Sequence, residues 1–188
     1  MKETGSGNST KPTSARAAIL DAAIQVIVDS GPGSLTFRSV AAVAGVSLGT
    51  MTYHFPDKND LLRTAIKHGR DATLRRDKSL LDGHLERHDL VDAIAHYIGE
   101  LTQQPEDALL KAYRVYATAL YFSDLRELVS PWHLESMLRA RGYGDEIRNA
   151  ALVGEGILLY ALVNGMSFSV EETRNLIAPH LAPVDSAS

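Results

Sequence analysis

Cysteine is missing altogether from the 188 residues, so disulfides and thiolate metal sites are excluded. That absence suits a reducing compartment, and a cytoplasmic location is the expectation. The first residues, MKETGSGNSTKPTSARAA, contain no apolar h-region, so no secretory signal peptide is expected there. Residues 1–13 read instead as a polar, disordered tail, and 183–188 as a short C-terminal one. Period-two alternation of apolar and polar residues is lacking too, which argues against sheet, and no internal repeat is visible. Long uncharged runs are scarce. Between Asn149 and Val170 the only formal charge is Glu155, and the span has bilayer length. Gly154, Gly156, Asn164, Gly165 and two serines dilute it, and a carboxylate at mid-span is costly in lipid. A buried helix is the better reading, and no membrane association is expected.

Neither sign of charge dominates the chain, whose net charge is −4, but the signs are unevenly placed. Residues 1–88 hold 12 Lys+Arg against 9 Asp+Glu, and residues 89–188 hold 7 against 14. A mildly basic first half joined to an acidic second half suggests two tasks in one chain.

What remains is helix signal almost throughout. Thr13 or Ser14 caps a first helix with Ile19, Ala23, Val26 and Ile27 at helical spacing, ended by SGPGS. Thr36 caps a short second helix whose stripe is Phe37, Val40, Ala41 and Ala44, and Gly45 breaks it. A third, VSLGTMTYHF, stops at Pro56. Asp57 caps a longer helix through Leu61, Leu62, Ala65 and Ile66 to about Leu81. Further helices are predicted over about 89–103, 106–122, 124–141, 145–166 and 170–181. The fold class is all-α.

Helix, Gly45 turn, second helix is the spacing of a helix-turn-helix, whose second helix enters a DNA major groove. Val46, Met51 and Phe55 fall where they anchor that helix, leaving Ser47, Leu48, Gly49, Thr50 and Thr52 outward. Small side chains let the helix approach bases and phosphates closely. Tyr53, His54 and Lys58 can donate to phosphate oxygens at the groove edge, and Arg38 has the reach for a guanine.

Residues 14–62, and above all LTFRSVAAVAGVSLGTMTYHFPDKNDLL, resemble the DNA-binding region of the TetR family of bacterial transcriptional regulators. The shared pattern is a Thr-started helix, a Gly-Val turn, a short recognition helix, an aromatic-His-Phe and a Lys opening the next helix. The resemblance implies a three-helix DNA-binding domain over 14–58. A helical ligand-binding and dimerisation domain over 59–182 would follow, with 59–81 as connecting helix. It assigns Thr36, Ser47, Tyr53, His54 and Lys58 to phosphates, and Arg38, Leu48, Gly49 and Thr50 to bases. One departure is Thr52, which stands where the family usually has tyrosine; Tyr53 is placed to take over its phosphate.

In the second half, Tyr97, Tyr113, Tyr116, Trp132 and Tyr160 carry more polar handles than a dry core readily satisfies. They are candidate walls of a ligand cavity, with Glu155 as a buried-charge candidate. The small-residue stripe Ala150, Gly154, Leu158, Ala161 and Gly165 suggests close helix packing between two subunits. In the DGHLERH segment, His84 and His88 have metal-ligand spacing, but Leu85 stands where a zinc-protease motif needs Glu. A polar loop without metal is the reading.

An enzyme is disfavoured, for the chain has no metal motif, phosphate loop, elbow serine or thiol nucleophile. No cofactor is expected. A helical protein-interaction module is the other alternative. The leading expectation is a homodimeric repressor that binds a palindromic operator in double-stranded DNA and is released by a small-molecule effector.

Overall fold

The computed structural model describes residues 14–103, 106–128 and 134–181, and among them there are helices and no strand. The α-helices are α1 (Ala15–Ser30), α2 (Phe37–Ala44), α3 (Leu48–His54), α4 (Lys58–Leu85) and α5 (Leu90–Gln103). They are followed by α6 (Glu106–Tyr121), α7 (Leu134–Arg139), α8 (Arg148–Asn164) and α9 (Val170–Ile177). No described helix is long and apolar enough to cross a membrane. The two predicted tails and Trp132 lie outside the described residues.

Two hydrophobic clusters organise the chain. The first is the head, where Ile19, Ala23 and Ile27 of α1 meet Val40, Met51, Phe55, Leu61 and Ile66. The second is the body, built on Ile94, Tyr97 and Ile98 of α5, Leu134 and Met137 of α7, and the inner side of α8. Helix α4 belongs to both. Its 28 residues span roughly 42 Å at 1.5 Å per residue. Leu61, Leu62, Ala65 and Ile66 sit in the head, and Leu81 sits in the body.

Local chemistry sets the helix boundaries. Ser14 accepts the Ala17 N–H, and Thr36 and Ser39 form a reciprocal capping box. Asp57 accepts from Asn59 and Asp60, so α4 begins where the sequence reading placed it. It ends later than predicted, at Leu85. The segment read as a polar loop is in part the last turn of α4, because His84 faces inward and is only 2% exposed.

The predicted 124–141 helix does not form as one element. Among the described residues it is a 3-10 turn over Ser123–Leu128 and the short α7, and residues 129–133 lie outside the description. The predicted 145–166 helix opens with a 3-10 turn and stops at Gly165, whose φ of 61° is the left-handed cap. Pro179 likewise turns the end of the predicted 170–181 helix into a 3-10 turn.

Candidate functional site

The first candidate surface is built by α2, the turn after it, and α3. Gly45 adopts φ 66° and ψ 31°, a conformation a side chain disfavours, and its N–H and that of Val46 both reach Ala41 O. That tight turn swings α3 across α2. Met51 and Phe55 then bury completely in the head, with Val46 half-buried against them. The guanidinium of Arg16 lies 5.2 Å from the Phe55 ring centroid and closes that side of the core.

With its inner side committed, α3 turns the rest outward. Ser47, Leu48, Gly49, Thr52 and Tyr53 are exposed, and Tyr53 keeps 83% of its surface. Thr50 and His54 are half-buried, and Arg38 on α2 and Lys58 at the start of α4 are exposed. The structure therefore places nine of the ten predicted DNA-contact residues on α2, α3 and their N-caps, with Lys58 as the first residue of α4. Several hydroxyls are already engaged. Ser47 Oγ accepts from Thr50 N–H at 3.0 Å, and Thr52 donates back to the Gly49 carbonyl at 3.1 Å. Thr36 holds Ser39. These three have a local helix-shaping task, whereas Tyr53, Lys58 and Arg38 extend freely from rigid elements.

The second candidate is a cavity of about 320 Å³ between α4, α5, α6 and α8. Tyr97, Tyr113, Tyr116 and Glu155 line it together. Tyr160 does not: it is exposed on the outer side of α8, edge-to-face with Phe168. Arg76 and Asp77 of α4 complete the polar lining, joined by a 2.8 Å ion pair. Leu101, Leu109 and Leu158 supply apolar wall, and the exposed Leu152 and Leu159 mark the mouth.

Asp77 was missed in the sequence, though a signal was present. It falls on the stripe Leu74, Asp77, Leu81, His84, where a carboxylate interrupts an otherwise inward-facing side of α4.

The electrostatics of the cavity are negative. Burial pushes the Asp77 carboxyl up, opposed by the adjacent Arg76 guanidinium. Burial likewise raises the phenols of Tyr97, Tyr113 and Tyr116, and the Glu155 charge raises each further. Glu155 Oε1 accepts the Leu134 N–H at 2.8 Å, which fixes the carboxylate at the first residue of α7. The site combines a hydrogen-bonded anion, a second carboxylate with its own arginine, and three phenol rings.

The small-residue stripe has another use than the one predicted. Ala150, Gly154, Leu158 and Ala161 are buried within the chain itself. A Cβ added at Gly154 would stand 2.7 Å from Ile98 Cδ1 and 3.2 Å from Leu134 Cδ2. The stripe therefore lets α8 approach α5 and α7, and Gly165 is only the exposed helix stop. The opposite side of α8 is exposed and apolar: Leu152, Leu159, Tyr160 and Val163.

His84, His88 and His96 gather at the α4–α5 junction, the last two stacked with centroids 4.1 Å apart. His84 Nε2 lies 3.1 Å from Glu100 Oε1 without hydrogen-bond geometry. Among the described residues no group of three or more His, Asp or Glu is arranged to hold a metal ion.

Residues 19–65 match the family model described as bacterial regulatory proteins, tetR family. The HTH-type transcriptional regulator BetI of Cronobacter sakazakii is 29% identical, the match covering 86% of this chain and 86% of that protein. Among solved structures, the multidrug binding protein EbrR complexed with malachite green is 29% identical with a TM-score of 0.77. That match covers 92% of this chain and all of EbrR. A TetR-family member from Streptomyces coelicolor A3 is also 29% identical, over 92% of this chain and all of that one, with a TM-score of 0.75. The residues that match the family model include Arg38 on α2, Tyr53 on α3 and Lys58 at the start of α4, and the likeness in fold runs on through the body. The chain belongs to the TetR family of bacterial regulatory proteins and is a DNA-binding transcriptional regulator.

Proposed function

We propose that this regulator is a homodimeric repressor released from a palindromic operator by an aromatic cation held in the body cavity. The observation that carries the effector class is the cavity itself. Its 320 Å³ lie in the range of small-molecule sites. Three phenol rings and the fixed Glu155 carboxylate favour a cation by ring-face attraction and direct charge. The EbrR structures support the reading, since that protein is complexed with malachite green, ethidium and proflavin, three aromatic dyes that are cations in neutral water.

On the DNA side, Tyr53, His54 and Lys58 serve as phosphate anchors, with Thr36 and Ser47 at the same backbone. Arg38, Leu48, Gly49 and Thr50 face base edges. Two such heads on a two-fold axis read half-sites about 34–36 Å apart. The exposed apolar side of α8, continued by Leu176 on α9, is the surface we assign to the dimer. Effector binding then favours a dimer whose recognition helices no longer match successive major grooves.

Calorimetry tests the effector class with tetraphenylphosphonium, an aromatic cation too bulky to intercalate, against the neutral triphenylphosphine oxide. The cation is expected to bind at least tenfold more tightly, about 1.4 kcal/mol. Glu155→Gln should remove most of that preference and leave the fold intact, because the amide oxygen still accepts from Leu134. Equal affinity for cation and neutral compound would refute the reading.

A further inference from the structure

Helix α6 is shared between the cavity and the DNA-binding head. Leu109, Ala112, Tyr113 and Tyr116 recur at helical spacing and line the cavity. On the neighbouring stripe, Val115 and Ala119 are buried in the same cluster as the α1 residues Ile19, Ala23 and Ile27. The meeting point is tight, for a Cβ on Gly69 of α4 would lie 2.9 Å from Ile24 Cδ1 and 3.5 Å from Val115 Cγ1.

A directional contact crosses this junction. Arg114 Nη1 donates to the Val28 carbonyl oxygen at 2.6 Å. Val28 lies in the last turn of α1, where carbonyls have no intrahelical donor. That turn contains no basic residue of its own. A cation at a helix C-terminus is favoured by the dipole as well as by the hydrogen bond. Arg114, from a helix 86 positions away in sequence, supplies both.

We propose that Arg114 is the positioning residue that carries occupation of the cavity to the head. Its backbone lies between Tyr113 and Tyr116, so a ligand that displaces those rings turns the segment holding the guanidinium. The apolar Val115 and Ala119 contacts tolerate small slides, whereas the hydrogen bond to Val28 has one geometry and defines the head position that suits DNA. A ligand that binds better when this contact is broken therefore lowers operator affinity. The inference rests on the cavity being the effector site.

The experiment measures coupling, the ratio of operator Kd with and without saturating tetraphenylphosphonium, using a duplex recovered by selection. The wild type should show a ratio within about 5–150-fold. Arg114→Met should bind the cation within about twofold of wild type by calorimetry, while its coupling falls below about threefold. Arg114→Lys, which can still donate to Val28, should recover part of it. Arg114 is exposed, so a melting temperature near wild type is expected. Unchanged coupling in Arg114→Met would overturn the proposal.

A second arm needs no ligand. Ala112→Trp fills the cavity from α6 and should weaken operator binding at least about fivefold, the lower end of ordinary coupling. The same change in the Arg114→Met background should have little effect. If the wild type ignores the cation, the effector class fails, and this pair alone decides the role of Arg114. Equal losses in both backgrounds would overturn it.

Discussion

Helices α3 and α8 both carry glycine and other small side chains where a packed helix ordinarily holds leucine, and they use them in opposite directions. On α3, Gly49 and Thr52 lie outward, and a Cβ added at Gly49 would meet nothing nearer than Ser47 Oγ at 3.6 Å. On α8, Ala150, Gly154 and Ala161 lie inward, and a Cβ at Gly154 would press on Ile98. Small residues announce that something comes close; the large residues beside them decide what. Met51 and Phe55 occupy the inner side of α3 and leave its small residues facing outward. Leu152, Leu159, Tyr160 and Val163 occupy the outer side of α8 and leave its small residues to α5 and α7.

The sharpest way to break this contrast is to enlarge Gly154. Gly154→Leu should destabilise the fold by about 3 kcal/mol, the upper end for overpacking a dense core. The urea midpoint should fall by the same amount at every protein concentration. A loss that vanished at high concentration would put the glycine back at a subunit interface.

On α2 and α4 the counterparts are expected to act on DNA and not on the fold. Arg38→Ala should cost about 1–3 kcal/mol of operator affinity and relax the preference at one base pair. Lys58→Ala should weaken operator and random duplex alike, with a salt slope shallower by about one unit. Both side chains are exposed, so urea midpoints should hardly move. Binding to operator, single-base operator variants and random duplex at several salt concentrations checks the first two statements, and urea denaturation checks the third.

Much of this is legible in the sequence. Ser14, Thr36 and Asp57 cap as their side chains predict, and the SGPGS and Gly45 breaks fall at helix ends. The head was readable because its signals are local: a cap, a left-handed glycine, and an anchoring pair one turn apart. The body was readable only in part. Tyr97, Tyr113, Tyr116 and Glu155 do converge, but Tyr160 faces outward because α8 is apolar on every side and periodicity alone cannot orient such a helix. Asp77 and Arg76 come from α4, which had been read as a connector. The His84 segment looked like loop because histidine, glycine and aspartate are weak helix formers, and tertiary packing overrode that preference.

His84 offers a smaller test of the body against the head. Burial holds its imidazole below the usual histidine range; Glu100 opposes this, and His96, Arg87 and His88 reinforce it. The unfolded chain therefore binds a proton more readily than the folded one. Stability should be unaffected above about pH 6.5 and should fall as pH drops below it. His84→Leu should flatten the decline below about pH 6.5. Urea titrations across that range, on wild type and variant, measure it directly. An equally steep decline in both would place the acid sensitivity elsewhere.

Of the two glycines, Gly49 has the smaller expected effect on stability, and its sign carries the comparison. Glycine inside a helix is less favourable than alanine by about 0.5–1 kcal/mol. Gly49 lies in α3 with no atom close enough to obstruct a methyl group. Gly49→Ala should therefore stabilise the protein by about that amount. If the exposed glycine exists to let α3 sit against DNA, the same variant should bind its operator more weakly. Stability and affinity would then move in opposite directions, whereas Gly154→Leu loses stability outright. Thermal denaturation and operator titration on one protein preparation separate the two cases. A Gly49→Ala protein that gained stability and kept full affinity would show that nothing approaches α3 at that point, and the small residues there would need a different cause.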